Sequence, residues 1–167
     1  RFDEVARMIT ERNLTMVRRS ASKHAALPSN TQVLLGDSMG EMFAYFAACD
    51  VAFIGGSLLP LGGQNLIEAC AVGKPVLIGP HTFNFSTVSD DAIAAGAALR
   101  VPDAVAMLHE AMRLLQAETE RADMAAKATA FAQQHRGATV RTMALLQSVP
   151  FLDVQADHCK SGLPKSA

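Results

Sequence analysis

Between residues 32 and 101 the chain repeatedly passes through a short apolar run, stops at glycine or proline, and then takes up helical spacing. The runs are 32–35 before Gly36, 51–54 before Gly55-Gly56, 75–78 before Gly79-Pro80, and 98–101 before Pro102. Their apolar residues do not alternate with polar ones, so each predicted strand is covered on both faces, as in a parallel sheet whose crossovers are helices. The segments 39–49, 65–72 and 84–95 supply those helices. A further apolar segment at 14–17 adds a strand, and Phe2, Val5, Ala6 and Ile9 stripe an opening helix whose other face carries Asp3, Glu4, Arg7 and Glu11. The polar stretch with Arg18, Arg19, Lys23, His24 and Pro28 reads as a solvated surface loop, the alternative being a loop that attracts an anion.

Beyond Pro102 the spacing becomes helical throughout. Val105, Leu108, Met112 and Leu115 keep helical spacing behind Asp103 as the capping residue, a second helix spans 122–134 up to His135-Arg136-Gly137, and Val140, Met143 and Ala144 mark a third. The expected architecture is a Rossmann-like α/β domain over 1–149, a parallel sheet with helices on both faces and a helical tail, followed by a frayed polar stretch at 150–167. Half of the residues are hydrophobic (50%), 19% are charged and the net charge is −1, which excludes a disordered chain and the basic face of a nucleic-acid domain. Mean hydropathy is +0.17 without an apolar run long enough to span a bilayer. Cys49, Cys70 and Cys159 lack the spacing of a disulfide framework or a zinc site, so a reducing compartment is expected, and the eight methionines read as core filler. Because the chain opens on Arg1 in mid-domain character, we expect it to be a piece of a longer protein.

Ligands of open parallel sheets bind beyond the carboxyl ends of the strands, so the loops after the apolar runs are where chemistry is sought. In GDSMGE (36–41) the helix is expected to begin near Ser38, with Gly40 and Glu41 in its first turn. Either Asp37 or Ser38 caps that helix, or its exposed amides with Glu41 hold the polar edge of a base or sugar. In GGSLLPLGGQNLIEA (55–69) Gly62 and Gly63 permit close backbone approach ahead of a helix start near Asn65, suited to a phosphate or carboxylate, with Glu68 placed to accept from a ribose. The plain alternative is a flexible turn and an exposed helix glutamate. In GPHTFNF (79–85) His81 is a candidate anion contact or a structural loop histidine, and Phe83 and Phe85 read as core. All three loops follow strands expected in one sheet. No Ser-His-Asp, Cys-His or paired-carboxylate set stands at catalytic spacing, nor does a metal-ligand cluster.

The stretches GDSMGEMFAYFAACDVAFIGGSL, GGQNLIEACAVGKPVLIGP and PHTFNF, in this order, resemble the carboxyl-terminal half of the 3-deoxy-D-manno-octulosonic acid (Kdo) transferases of lipopolysaccharide assembly. The likeness runs from Arg1-Phe2, similar to the end of that family's RHPERF segment, to about Val101, and more loosely through the helical tail. It implies the carboxyl-terminal, nucleotide-sugar donor domain of a metal-independent GT-B glycosyltransferase that moves Kdo from CMP-Kdo to the lipid A precursor (lipid IVA), releasing CMP.

By position, the resemblance implies Met39, Gly40 and Glu41 as the first CMP-binding segment and Asn65, Leu66, Ile67 and Glu68 as the second. Gly62, Gly63 and His81, with Ser57 of the same glycine loop, complete the expected donor-binding set. The resemblance places the catalytic glutamate and a Pro-Arg donor element upstream of Arg1, so no catalytic residue, metal ligand or cofactor other than the donor substrate is expected here. It further implies that the chain is inactive alone and that the full-length protein works at the cytoplasmic face of the inner membrane, partnered by an amino-terminal acceptor domain. Alternatives are another GT-B nucleotide-sugar enzyme, a UDP-sugar transferase or epimerase, or a noncatalytic Rossmann-like module.

Overall fold

The computed structural model describes residues 1–22, 26–135 and 138–148, with 138–141 described by backbone alone. In chain order the elements are α1 (Phe2–Glu11), β1 (Met16–Arg18), α2 (Arg19–Ser22), β2 (Val33–Leu35), α3 (Met42–Ala48), β3 (Ala52–Phe53), α4 (Ile67–Ala71), β4 (Val76–Ile78), a 3-10 turn (Phe83–Phe85), α5 (Ser86–Ala94), β5 (Ala98–Arg100), α6 (Ala104–Gln116), α7 (Glu118–Gln134) and α8 (Ala138–Gln147). Two units divide the chain, Arg1–Ala132 and Gln133–Ala167. The first holds every strand and is built as expected from strands alternating with helices; the described part of the second is the end of α7 and α8. The expected polar stretch at 150–167, with Cys159, lies outside the described residues, as do Lys23 and His24.

All strand pairs are parallel, yet the ladders fall into two groups where one sheet was expected. β1 pairs with β2 (Met16↔Val33), and β3, β4 and β5 form a separate three-stranded sheet in that order (Ala52↔Val76, Val76↔Ala98). The larger sheet meets the expectation of burial on both faces. Val76 and Ile78 point into a core with Ala69 and Cys70 of α4, Ala92 of α5 and Ala128 and Phe131 of α7, whereas Leu77 points the other way onto Leu114 of α6 and Met124 of α7. Alanine dominates the first core, which brings the helices close to the strands. The smaller sheet is half-covered: Leu34 is exposed, and Ala6 is the buried residue of α1.

Several local expectations are corrected. The polar stretch after β1 is not all loop, since Arg19–Ser22 makes one helical turn. The helix after β2 begins at Met42 and not near Ser38, because Gly40 takes a left-handed φ of +80° that breaks the helical path and the Asp37 and Ser38 side chains bond elsewhere. Likewise α4 starts at Ile67, after Asn65 closes a side-chain turn onto the Ile67 N–H (3.0 Å). Most methionines are not core filler: Met8, Met39, Met42, Met112 and Met143 are exposed, while Met124 is buried. Phe83 is exposed as well, and the helix expected from residue 84 opens as a 3-10 turn. By contrast Asp103 caps α6 as expected, its carboxylate accepting from the Ala106 N–H at 2.8 Å.

On α6 the stripe Val105, Leu108, Met112 and Leu115 faces solvent, and the helix docks through Leu114, Met107 and Ala111. Helical spacing identifies a face without saying which of two apolar faces wins the core. Truncating the buried face, Leu114→Ala, is expected to lower unfolding free energy by about 2–5 kcal/mol. Leu108→Ala on the exposed stripe should change it by less than about 0.5 kcal/mol. Urea denaturation of both variants checks the assignment.

Candidate functional site

A cavity of about 610 Å³ opens at the carboxyl ends of β2 and β3. One wall is the bend that leaves β2, Gly36 and Ser38 to Glu41, continued by Met42, Tyr45 and Phe46 of α3. The opposite wall is the end of β3, Phe53 to Gly55, with Gln64, Asn65 and Glu68 at the entry to α4; Phe2 of α1 closes one side. The cleft therefore lies over the seam between the two ladders, and the glycine-rich sequence of its walls has specific geometric causes. A Cβ on Gly36 would stand 2.9 Å from the Tyr45 ring, so glycine is what lets that ring lie over the strand end.

Glu41 is the most constrained group on the first wall. Its carboxylate accepts from the Arg19 guanidinium (2.8 Å), from the Ser38 hydroxyl and from the Tyr45 hydroxyl (3.3 Å), and Ser38 and Tyr45 are themselves 2.8 Å apart. The Ser38 bond first, then the Arg19 charge, holds this carboxyl below the usual glutamate range. Beside it Asp37 accepts from the Ser20 N–H (2.9 Å) and hydroxyl (2.7 Å), with Arg18 at 3.8 Å. Arg18 also pairs with Asp3. Both described arginines of the stretch expected as a solvated loop are thus held by carboxylates.

Of the residues expected to bind donor, the structure brings Met39, Gly40, Glu41, Asn65 and Glu68 together around the cleft. Met39 is 90% exposed at its rim. Leu66 is 1% exposed and belongs to the core, and Ile67 packs against that core, so neither side chain lines the cleft. Gly62 and Gly63 do adopt left-handed φ, +88° and +73°, but the backbone they approach is that of the 79–85 loop. A Cβ on Gly62 would fall 2.2 Å from Asn84 Nδ2, and the Gly62 carbonyl accepts from the Asn84 N–H.

Ser57 is fully buried: its hydroxyl donates to the Ile54 carbonyl (2.5 Å) and accepts from the Gly79 N–H (2.8 Å). The His81 N–H donates to the Ser57 carbonyl (2.9 Å), which places His81 in this loop-to-loop lattice and outside the cleft lining. Sequence reasoning missed Tyr45, whose signal is its position one turn after Glu41, and Arg19, which carries none. It also gave no role to Gln64, which lines the cleft.

Among the described residues the lining includes two carboxylates, Glu41 and Glu68, and no lysine or arginine. Ionised carboxylates only accept, so these walls suit the hydroxyls and amines of a ligand. Burial pushes the Cys70 thiol up to about 11, and it packs as a small apolar side chain. Among the described residues no three His, Cys, Asp or Glu converge on a metal position, and no helix is long and apolar enough to cross a membrane. A second cavity of about 480 Å³ is lined mainly by Leu58, Leu59, Leu61, Phe53 and Pro102, with Arg1 at its edge.

A parallel α/β domain with a cleft over its strand ends is an architecture that binds ligands there, and the chain belongs to the glycosyl transferases group 1 family, matched over residues 16–131. More particularly, it is 52% identical over 147 residues to the 3-deoxy-D-manno-octulosonic acid transferase of Bordetella pertussis, covering 88% of this chain and 34% of that protein. The transferase of the same name from Haemophilus influenzae is 36% identical over 155 residues, 92% of this chain and 35% of that one. The chain thus spans about one third of the length of these curated relatives. The crystal structure of the C-terminal CMP-Kdo binding domain of WaaA from Acinetobacter baumannii is also similar, with a TM-score of 0.75 and 36% identity over 80% of this chain and 68% of that one.

Two outcomes test the loop chemistry. Ser57→Ala leaves the buried Gly79 N–H without its acceptor and should cost about 1–3 kcal/mol in chemical denaturation. Asp37 has its carboxyl lowered mainly by the Ser20 bonds, so its stabilisation is present above the unfolded value of about 3.9 and is lost as pH falls through the lower folded value. Asp37→Asn should therefore lower the denaturation midpoint at neutral pH, the gap to wild type closing as the solution is acidified.

Proposed function

We propose that this chain is the donor-binding domain of a Kdo transferase, holding CMP-Kdo in the cleft between the 36–41 bend and the start of α4. The reading is carried by one observation: the two segments expected to bind CMP, 26 residues apart from Met39 to Asn65 in sequence, line one cavity of nucleotide size. It is supported by the 36% identity to a domain whose own description names CMP-Kdo binding. In this reading Glu68, in the first turn of α4, accepts from the ribose hydroxyls and Glu41 accepts from donor groups of the nucleoside.

Transfer of Kdo to the lipid A precursor releases CMP, whose phosphate gains charge as the bond to the sugar breaks. Among the described residues the cleft lining offers no side-chain cation for it, and α4 is five residues long, so its macrodipole is small. Charge compensation on this side falls to backbone amides near Asn65, and the remainder to the other lobe of the whole protein, together with the acceptor site and the catalytic base. The domain alone binds donor without transferring Kdo and needs no metal to do so. The full-length protein works at the cytoplasmic face of the inner membrane.

An NMR titration of the chain with CMP and, in parallel, UMP tests this reading. CMP is expected to shift the amides of 39–41 and 65–68 more strongly than UMP. Equal response to both nucleotides would turn the assignment toward a UDP-sugar enzyme, and no response in the chain or in the full-length protein would refute it. Glu68→Ala should weaken CMP binding by about tenfold, the worth of one charged hydrogen bond, with the amide spectrum otherwise retained.

A further inference from the structure

Arg19 lies in a four-residue helical turn, 22 residues from Glu41 in sequence, and its side chain is not among those lining the cleft. Its guanidinium nevertheless reaches Glu41 Oε1 at 2.8 Å, leaving Oε2 to the Ser38 and Tyr45 hydroxyls. We propose that Arg19 is a positioning residue: from behind the wall it fixes the Glu41 carboxylate, ionised and in one orientation, as an obligate hydrogen-bond acceptor for the nucleoside of the donor. This rests on the cleft being the nucleotide site.

Three features of the geometry carry the inference. The bonds come from three separate segments, Arg19 on α2, Ser38 on the bend and Tyr45 on α3, so the carboxylate is held against rotation in more than one direction. Arg19 and Glu41 are both partly covered, at 25% and 31% side-chain exposure, so solvent screens the pair less than it would an open surface pair. The wall also has its own alternative acid beside it, and that acid is already engaged: Asp37 bonds Ser20 and faces Arg18, which leaves Arg19 to Glu41.

Among the described residues the other charged side chain lining the cleft is Glu68, across from this wall. The Ser38 bond and the Arg19 charge outweigh the partial desolvation that raises the Glu41 carboxyl in place. An ionised carboxylate accepts and cannot donate, so fixing its charge also fixes which ligand groups it takes. A lysine would supply the charge without the planar fork that sets direction.

The test is carried out on the 167-residue chain by following the Glu41 side-chain carboxyl carbon through an acid titration without ligand, and CMP affinity across the same range. Arg19→Met should move the Glu41 midpoint upward and weaken CMP binding about tenfold, including at neutral pH where Glu41 is ionised in both proteins and only its orientation differs. Arg19→Lys should recover most of the midpoint and only part of the affinity. Tyr45→Phe, which removes one hydroxyl and keeps the ring, should give a smaller shift in the same direction and serves if the arginine variants do not fold.

An unmoved midpoint in Arg19→Met overturns the proposal, and with weakened binding it would mean that Arg19 meets the ligand itself. A moved midpoint with unchanged CMP affinity overturns it too, reducing Arg19 to a structural tie. If neither the wild-type chain nor the full-length protein binds CMP, the donor reading falls separately, and the ligand-free titration still decides whether Arg19 holds Glu41.

Discussion

The loops that follow β3 and β4 are tied together through a buried hydroxyl. Ser57 donates to the carbonyl that ends its own strand and accepts from the Gly79 N–H that ends the next, while its carbonyl receives the His81 N–H. Side chains are kept out of this junction by distance alone, since a Cβ on Gly79 would meet the Ser57 carbonyl oxygen at 2.2 Å. Gly62 and Gly63 close against the same region from the far end of their loop. A fifteen-residue glycine-rich segment is thereby given one path, and Asn65 and Glu68 at its end are delivered to the cleft. Arg100 at the end of β5 extends the tie by bonding the Gly79 carbonyl, Thr82 and Asp90.

What could be read from the sequence follows from how local the cause is. Parallel strands were legible in the unalternating apolar runs, and Asp103 as a cap in its position before helical spacing, because each needs only neighbouring residues. Glycines that look made for a ligand were harder, since Gly62 and Ser57 answer to residues about 22 positions away and the sequence does not say which backbone will arrive there. Arg19 was beyond reach for the same reason. The stripe on α6 failed differently: the helix has two apolar faces, and packing against Leu77 and Met124 selects the one with Leu114.

The family resemblance narrowed the first problem and left the second. It indicated 39–41 and 65–68 as one site, and the structure brings Met39, Gly40, Glu41, Asn65 and Glu68 to one cavity, while Leu66 and Ile67 belong to the core. The electrostatics of that cavity could not be had from the motif. Among the described residues its side-chain charges are both negative, and Arg18 and Arg19 beside it hold carboxylates in place. An anion entering such a cleft finds its hydrogen-bond donors in the Gln64 and Asn65 amides and the Ser38 and Tyr45 hydroxyls.

The division of the strands into two ladders bears on how the cleft handles a ligand. One wall is anchored to β2 and the other to β3, and these strands share no rungs among the described residues. Aromatic side chains stand on both walls, Tyr45 and Phe46 on one and Phe53 on the other. Drawing the walls together around a small molecule strains van der Waals contacts but breaks no backbone ladder. Ladder hydrogen bonds tie the strands within each wall, and among the described residues none runs from one wall's ladder to the other's.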